Sequence, residues 1–316
     1  MQVIMVSQLG GPEVLQVGEA DLPQPRAGEV LVRVLAAGVG PWDASLRAGG
    51  WTGPLPYVPG GEFAGVVVGD TGADAALDDG APVYGYPGIT GCYAEYVTCP
   101  AEQLAPVPAG LPIADAAAAP IDALTAEQGL TDELAVGAGD QVLITAGAGG
   151  VGHFAVQIAR ILGAEVVATA SPQHHEFLHR LGAAVVIDHT KPDWPDQVRE
   201  VTDGGARQIL ACAAPTLAGA ARAARDGAVI ATPVHAEVPD GPGGPHARWL
   251  RYDGQARGSR LIRLAPWFDD GSMSVTVQAR YYWQNAAEAH REVEKGHTRG
   301  KIALIVDADL AAELEV

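Results

Sequence analysis

Apolar and polar positions fall into two textures along the chain. Over its first third, β-branched or aromatic runs stand at Val30-Leu31-Val32-Arg33-Val34, Phe63-Ala64-Gly65-Val66-Val67-Val68 and Tyr93-Ala94-Glu95-Tyr96-Val97. Turn signals at Gly10-Gly11-Pro12, Gly53-Pro54 and Pro59-Gly60-Gly61 lie between them, which predicts an antiparallel or barrel-like β module. From about Ala116 the texture changes to strand and helix in alternation, with short strands predicted at Gln141–Thr145, Glu165–Thr169, Ala184–Ile187, Gln208–Cys212 and Ala228–Thr232. Such alternation predicts a parallel sheet covered by helices. The run Pro239-Asp240-Gly241-Pro242-Gly243-Gly244-Pro245 breaks that pattern. Beyond it, Asn285–Lys295 reads as a helix and Lys301–Val306 as a final strand, a tail expected to return to the first module. No internal repeat is evident, and the only low-complexity tract is the short run Ala116–Ala119.

The most informative segment joins a buried strand to a helix. Val142-Leu143-Ile144-Thr145 runs into Gly147-x-Gly149-x-x-Gly152, and Val151, Phe154, Ala155, Ile158 and Leu162 then follow three-four spacing until Gly163 stops the helix. A second strand starts at Glu165. Glycines in that setting permit a tight turn and bring backbone N–H groups up to a pyrophosphate, at the positive end of the helix dipole. The loop Gly147, Gly149, Gly150, Val151 and Gly152 therefore reads as a dinucleotide cradle. A carboxylate ending the second strand would bind the ribose 2′-hydroxyl of NAD and repel a 2′-phosphate. This strand ends Ala168-Thr169-Ala170-Ser171 with no acid, and His174, His175 and Arg180 follow. A hydroxyl and basic side chains there suit a phosphate, so NADPH is the expected cofactor. The competing reading is of solvated surface histidines.

Composition narrows the classes. The chain has 316 residues, 48% of them hydrophobic and 18% charged, a length that suits two domains and a composition that suits a globular protein. Its first residues lack a basic start, an apolar block and a cleavage site, so a soluble, cytoplasmic protein is expected. A formal net charge of −18 disfavours nucleic acid and anionic membranes as partners. The cysteines Cys92, Cys99 and Cys212 cannot all pair, and none has CxxC spacing, so they read as small buried fillers. Heavy use of Ala, Gly and Pro with only three lysines looks like a GC-rich bacterial coding sequence.

Several segments together resemble the zinc-independent quinone oxidoreductase branch of the medium-chain dehydrogenase/reductase superfamily. They are Ala37-Gly38-Val39-Gly40-Pro41-Trp42-Asp43, Pro59-Gly60-Gly61-Glu62-Phe63-Ala64-Gly65-Val66-Val67, Gly91-Cys92-Tyr93-Ala94-Glu95-Tyr96-Val97, Leu124-Thr125-Ala126, the glycine loop, Leu181-Gly182-Ala183, and Glu288-Ala289-His290 with Gly296-His297-Thr298-Arg299-Gly300-Lys301-Ile302. The resemblance implies an α/β protein: a GroES-like β-barrel catalytic domain at 1–117 and 256–316, and a doubly wound Rossmann NADP-binding domain at 118–255. It also implies a cleft where the two meet and a homodimer. Thr125, Arg299 and Lys301 become candidate cofactor contacts by resemblance alone. Zinc-dependent relatives place a His in the segment matching Gly60-Gly61-Glu62 and a Cys near Gly38. This chain has Gly61 and no cysteine before Cys92, so no catalytic zinc is expected. Short-chain reductases are set aside, because no Tyr here lies four residues before a Lys.

The implied activity is hydride transfer from NADPH to a small electron-poor acceptor, either a quinone or an α,β-unsaturated carbonyl. Enoyl reduction in aromatic polyketide tailoring is the alternative within that class, and a non-catalytic NADP(H)-binding protein the alternative outside it. Two departures stand out: Gly40 where the family usually has Asn, and Trp51 where enoyl-reducing relatives often carry a proton-donating Tyr. Tyr57 is then the nearest candidate acid, Asp43 the second and water a third. Tyr57 could equally be a barrel aromatic, and Asp43 a helix or turn cap. Trp42, Trp51 and Tyr57 are the flat apolar side chains expected around a conjugated substrate, or else plain core.

Overall fold

The computed structural model describes residues 1–69, 77–238 and 247–316. It divides into two compact units, Met1–Ile121 with Ala256–Val316, and Asp122–Gln255. The Gly- and Pro-rich run from Pro239 to Pro245 lies outside the described residues. Among the described residues no helix is long and apolar enough to cross a membrane.

The first unit opens with an antiparallel pair, β1 (Gln2–Val6) and β2 (Leu15–Glu19). Its long strand β3 (Glu29–Val39) alternates with Val30, Val32 and Val34 buried, then buries Ala36, Ala37, Gly38 and Val39 in succession. A strand polar on one face at its start and covered on both at its end needs different partners along its length. It has them: β4 (Phe63–Val67) pairs from Val32 to Ala37, and β6 (Tyr96–Pro100) pairs from Glu29 to Arg33. A short helix α1 (Pro41–Ser45) follows β3, and β5 (Pro82–Gly85) and β7 (Leu104–Pro106) extend the sheet beyond β4. The run Tyr93–Val97 is not one strand. Ala94 bridges Val3 and Tyr93 accepts the N–H of Ile4 at 2.8 Å, whereas Tyr96 onward pairs with β3, so the segment is divided between two partners.

Helices α2 (Ile113–Ala116) and α3 (Pro120–Gln128) lead into the second unit. There β8 (Gln141–Thr145), β9 (Glu165–Ala170), β10 (Val185–Asp188), β11 (Ala206–Ala211), β12 (Ala224–Thr232) and β13 (Arg248–Arg251) form one parallel sheet. Its order is β10-β9-β8-β11-β12-β13, with helix α4 (Gly150–Ile161) between β8 and β9 and α5 (His175–Leu181) between β9 and β10. The order runs outward from β8 in both directions. That is the doubly wound topology, whose ligands bind beyond the carboxyl ends of the strands where the order reverses. The buried strand residues Leu143, Val167, Ile209 and Ile230 centre its core.

The tail returns to the first unit. After α8 (Gly258–Asp269), with α6 and α7 (Trp194–Val201 and Leu217–Ala223) left behind in the second unit, come β14 (Val277–Tyr282), α9 (Ala286–Glu294) and β15 (Lys301–Ile305). β15 joins the first sheet antiparallel to β3, from Ile302 opposite Val39 to Ile305 opposite Ala36.

Candidate active site

The loop between β8 and α4 turns with Ala146 at φ 52, and Gly147 donates its N–H to Thr169 O at 2.9 Å, tying the turn to β9. Four glycines follow, for different reasons. A Cβ on Gly152 would run into Ala146 O and the Gly147 backbone, and one on Gly150 into the Asp122 carboxylate. One on Gly147 would press on Ala168 and Leu178 at 3.2 Å. Gly149 differs: its φ of −78 and ψ of −175 suit any residue, and its Cβ would meet nothing nearer than Ala146 O at 3.4 Å. Neither backbone conformation nor packing inside the chain calls for glycine there. Space left open above the N-terminus of a twelve-residue helix is what a pyrophosphate cradle requires, so the loop fits a dinucleotide.

At the carboxyl end of β9, Ser171 begins a short turn and its hydroxyl caps no helix. His175 Nε2 lies 3.2 Å from Ala170 O, and His174 Nε2 lies 3.3 Å from Gln173 Nε2. Asp188, at the end of β10 opposite Ala170, is the nearby acid, and Thr190 and Lys191 hold its carboxyl below the usual range. Val151 is half-buried in the first turn of α4. Thr125 is buried, with its carbonyl accepting from Tyr252 Oη at 2.9 Å and its hydroxyl packed on Gly254.

In the first unit, Lys301 at the start of β15 is 2% exposed. Its Nζ lies 2.9 Å from Glu62 Oε1 and 4.9 Å from the centre of the Trp42 ring. Glu62 Oε2 accepts the Ile121 N–H at 2.8 Å. Asp43 on α1 is buried beside this pair. Its Oδ2 accepts the Gly40 N–H at 2.9 Å, the cap expected of it, while Oδ1 has no protein partner. Burial pushes this carboxyl up to about 7, with the Glu62 charge adding to the rise and the Gly40 N–H and Lys301 opposing it. Gly40 has its own reason, since a Cβ there would run into the Trp42 ring. The indole occupies the space that a side chain at position 40 would take.

Trp51 stacks on Tyr57 with ring centres 4.6 Å apart and planes at 22°, its indole N–H donating to Pro54 O at 3.0 Å. Tyr57 belongs to the core of the unit, yet its hydroxyl is buried without a partner, and burial with the Asp43 charge pushes the phenol up to about 12. Arg299 is exposed, with its backbone N–H bonded to Gln278 Oε1 at 2.7 Å. Apart from Thr125 and Arg299, the candidates thus fall in three places: the glycine loop with its β9 edge, the Trp42, Asp43 and Lys301 cluster, and the Trp51 and Tyr57 stack. Glu62 was quoted in the sequence motif without a role, and its position beside Lys301 could not be read from either segment alone. Arg47, Tyr93 and His290 gave no chemical signal in sequence, although the last two stood inside quoted motifs.

Residues 150–232 match the family described as zinc-binding dehydrogenase, and residues 26–109 the alcohol dehydrogenase GroES-like domain. The chain is 31% identical to a chloroplastic NADPH-dependent alkenal/one oxidoreductase of Arabidopsis thaliana, over 96% of this chain and 79% of that protein. It is 30% identical to a probable quinone oxidoreductase of Schizosaccharomyces pombe, over 98% of each. Among solved structures, the Escherichia coli quinone oxidoreductase complexed with NADPH superposes at a TM-score of 0.87 and 27% identity, covering 97% of this chain and 100% of that one. The residues present do not fit a catalytic zinc. Among the described residues no group of three or more His, Cys, Asp or Glu could hold a metal ion, and Glu62 is engaged by an ammonium group that opposes a divalent cation.

Proposed function

The chain belongs to the medium-chain dehydrogenase/reductase family, on its quinone oxidoreductase side, and from that premise we propose that it is an NADPH-dependent reductase of quinones or α,β-unsaturated carbonyls. The observation that carries this reading is Gly149, where neither the backbone conformation nor a neighbouring side chain calls for glycine and the space at the N-terminus of α4 is open to a pyrophosphate. The dinucleotide, when bound, supplies hydride from its nicotinamide. The N–H groups of the loop Gly147, Gly149, Gly150, Val151 and Gly152 hold its pyrophosphate, and Ser171, His174 and His175 its 2′-phosphate. Thr125 and Arg299 are further contacts in this proposal. Lys301 acts there through Glu62 and Asp43, by setting the field around the carboxyl.

Trp51, Tyr57 and Trp42 offer the flat apolar faces against which a conjugated acceptor lies. Reduction leaves negative charge on the acceptor, which needs a proton. Asp43 Oδ1 has no hydrogen-bond partner and burial raises its carboxyl to about 7, so in this proposal it serves as the proton store. Tyr57 Oη, likewise without a partner, is the other candidate acid in this proposal. Homodimer assembly belongs to the same proposal and is read by sedimentation.

The test is NADPH oxidation at 340 nm against 1,4-benzoquinone, 9,10-phenanthrenequinone and a simple enone, with NADH in parallel. Turnover with NADPH on at least one acceptor is expected. Tight NADPH binding without turnover on any would replace the enzyme by a binding protein. Ser171→Asp is expected to shift preference towards NADH, since a carboxylate there repels the 2′-phosphate. An unchanged ratio of the two dissociation constants would remove Ser171 from the cofactor site.

A further inference from the structure

His153 follows Gly152 in the first turn of α4 and is fully buried. Its Nδ1 lies 2.6 Å from Gly150 O and 3.1 Å from Gly149 O, so the imidazole is turned back along the helix towards the glycine loop. Carbonyl oxygens only accept, and Nδ1 therefore carries a proton and shares it between the two. The ring lies beside that of Phe154, with centres 4.0 Å apart, and the His153 carbonyl accepts from Gln157 Nε2 at 2.9 Å.

The helix does not need this bond. Gly149 O already accepts the His153 N–H at 3.0 Å, and Gly150 O is the regular helical partner of the Phe154 N–H. A side chain that bonds back to carbonyls three and four residues earlier slightly destabilises a helix, and burying an imidazole costs its hydration, so an apolar residue would serve packing better. What the bond does act on is a pair of peptide units. A peptide is planar and trans, so Gly149 O and the Gly150 N–H lie on opposite sides of one rigid unit, as do Gly150 O and the Val151 N–H. Holding both oxygens towards His153 points both N–H groups the other way, out of the helix N-terminus. They are the first two N–H groups of α4 and have no carbonyl four residues back inside the helix. A donor on a carbonyl oxygen also polarises the amide, which strengthens the N–H at its other end.

We propose that His153 is a positioning residue of the dinucleotide cradle: its Nδ1–H, shared between Gly149 O and Gly150 O, fixes and polarises the two peptide units whose N–H groups, those of Gly150 and Val151, receive the pyrophosphate. The imidazole stands behind the amides, on the side away from the ligand, and acts on it through the backbone. That is how a buried side chain can contribute at a loop whose glycines leave no side chain to reach the ligand directly. The inference rests on the reading of the loop as a cofactor cradle and names a residue that sets the cradle's geometry.

Asn and Leu are nearly isosteric, and an Asn amide can bond back to the carbonyls three or four residues earlier, whereas Leu cannot. His153→Asn and His153→Leu are therefore compared with each other, in the full-length protein, by fluorescence titration with NADPH and with adenosine 2′-monophosphate, which carries the 2′-phosphate and no pyrophosphate. His153→Leu is expected to bind NADPH about tenfold more weakly than His153→Asn, and adenosine 2′-monophosphate equally well. In the ligand-free variants, the amide 15N resonances of Gly150 and Val151, which report the bond accepted by the preceding carbonyl oxygen, are expected further downfield with Asn than with Leu. If His153→Leu fails to fold, His153→Thr against His153→Val gives the same contrast, since a Thr hydroxyl bonds to the same carbonyls and Val has the same shape without it. Equal NADPH affinities within the pair, unmoved resonances, or a loss of the same size for both ligands overturn the proposal. Failure of the cradle reads differently, because Gly149→Val then leaves NADPH affinity unchanged. An equal pair alongside a weakened Gly149→Val keeps the cradle and removes His153 from it.

Discussion

A methyl group added at each glycine of the β8 to α4 loop would report a different neighbour, which separates folding from binding. Gly152→Val forces a side chain against Ala146 O and the Gly147 backbone, neither of which can yield without opening the turn, so a loss of several kcal/mol is expected. Gly149→Val meets open space at an unstrained φ. It is expected to leave the melting temperature within a few degrees of the parent while weakening NADPH binding by about a hundredfold or more, measured by fluorescence titration. A folded Gly149→Val with unchanged affinity would remove the loop from the cofactor site. Gly40 makes the same point in the first unit. The family resemblance marked it as a lost polar contact, but the Trp42 ring stands where a Cβ would be. Gly40→Ala is therefore expected to displace the indole from above Lys301, costing about 1–3 kcal/mol and shifting the tryptophan emission. Unchanged stability and emission would show that the ring has another place to go.

Between elements, the informative contact joins the residue before β4 to the first residue of β15. Glu62 and Lys301 are both almost fully buried, and removing either takes from the other the opposite charge 2.9 Å away. Glu62→Gln is expected to cost about 3–5 kcal/mol in urea denaturation, and the double variant Glu62→Gln with Lys301→Met to regain much of it. A double variant no better than the single one would mean that Lys301 is held by something other than Glu62. The pairing also shows what could be read from the sequence. The strands β8 to β12 were legible because each is a short apolar run bounded by turns, and the glycine loop because its signal lies within one segment. Strand β14 was not: it is a half-buried strand with Gln278 and Arg280 inside it, so no alternation survives. Strand β13, Arg248–Arg251, has charge at both ends and buries little. In the site, Asp43 and Lys301 were each singled out from their own motifs, but the carboxylate of Glu62 comes to Lys301 through strand pairing that brings distant segments together.

At the scale of the whole molecule, two buried titratable groups act on stability with opposite signs over the same pH range. The Asp43 carboxyl is raised from 3.8 to about 7, so the folded protein retains a proton that the unfolded chain releases. Its contribution is complete below 3.8 and is lost as the pH rises towards 7. His290 is lowered from 6.5 to about 3, so here the unfolded chain takes up a proton that the folded protein refuses. Its contribution is complete above 6.5 and is lost as the pH falls towards 3. Between about pH 4 and 6.5 the two slopes oppose each other, and around pH 5 each approaches one proton, or about 1.4 kcal/mol per pH unit. The many surface carboxylates add a slope common to every variant, so the informative quantity is the variant minus the parent. Asp43→Asn removes the falling term, and its stability relative to the parent is expected to rise with pH across that window. His290→Gln removes the rising term, and its relative stability is expected to fall. Urea midpoints at about pH 4.5, 5.5 and 6.5 measure both differences. Two curves that run parallel to the parent would mean that these groups titrate alike in the folded and unfolded protein. Curves that diverge with opposite sign would show the same burial that makes Asp43 a proton store at neutral pH, read through folding instead of turnover.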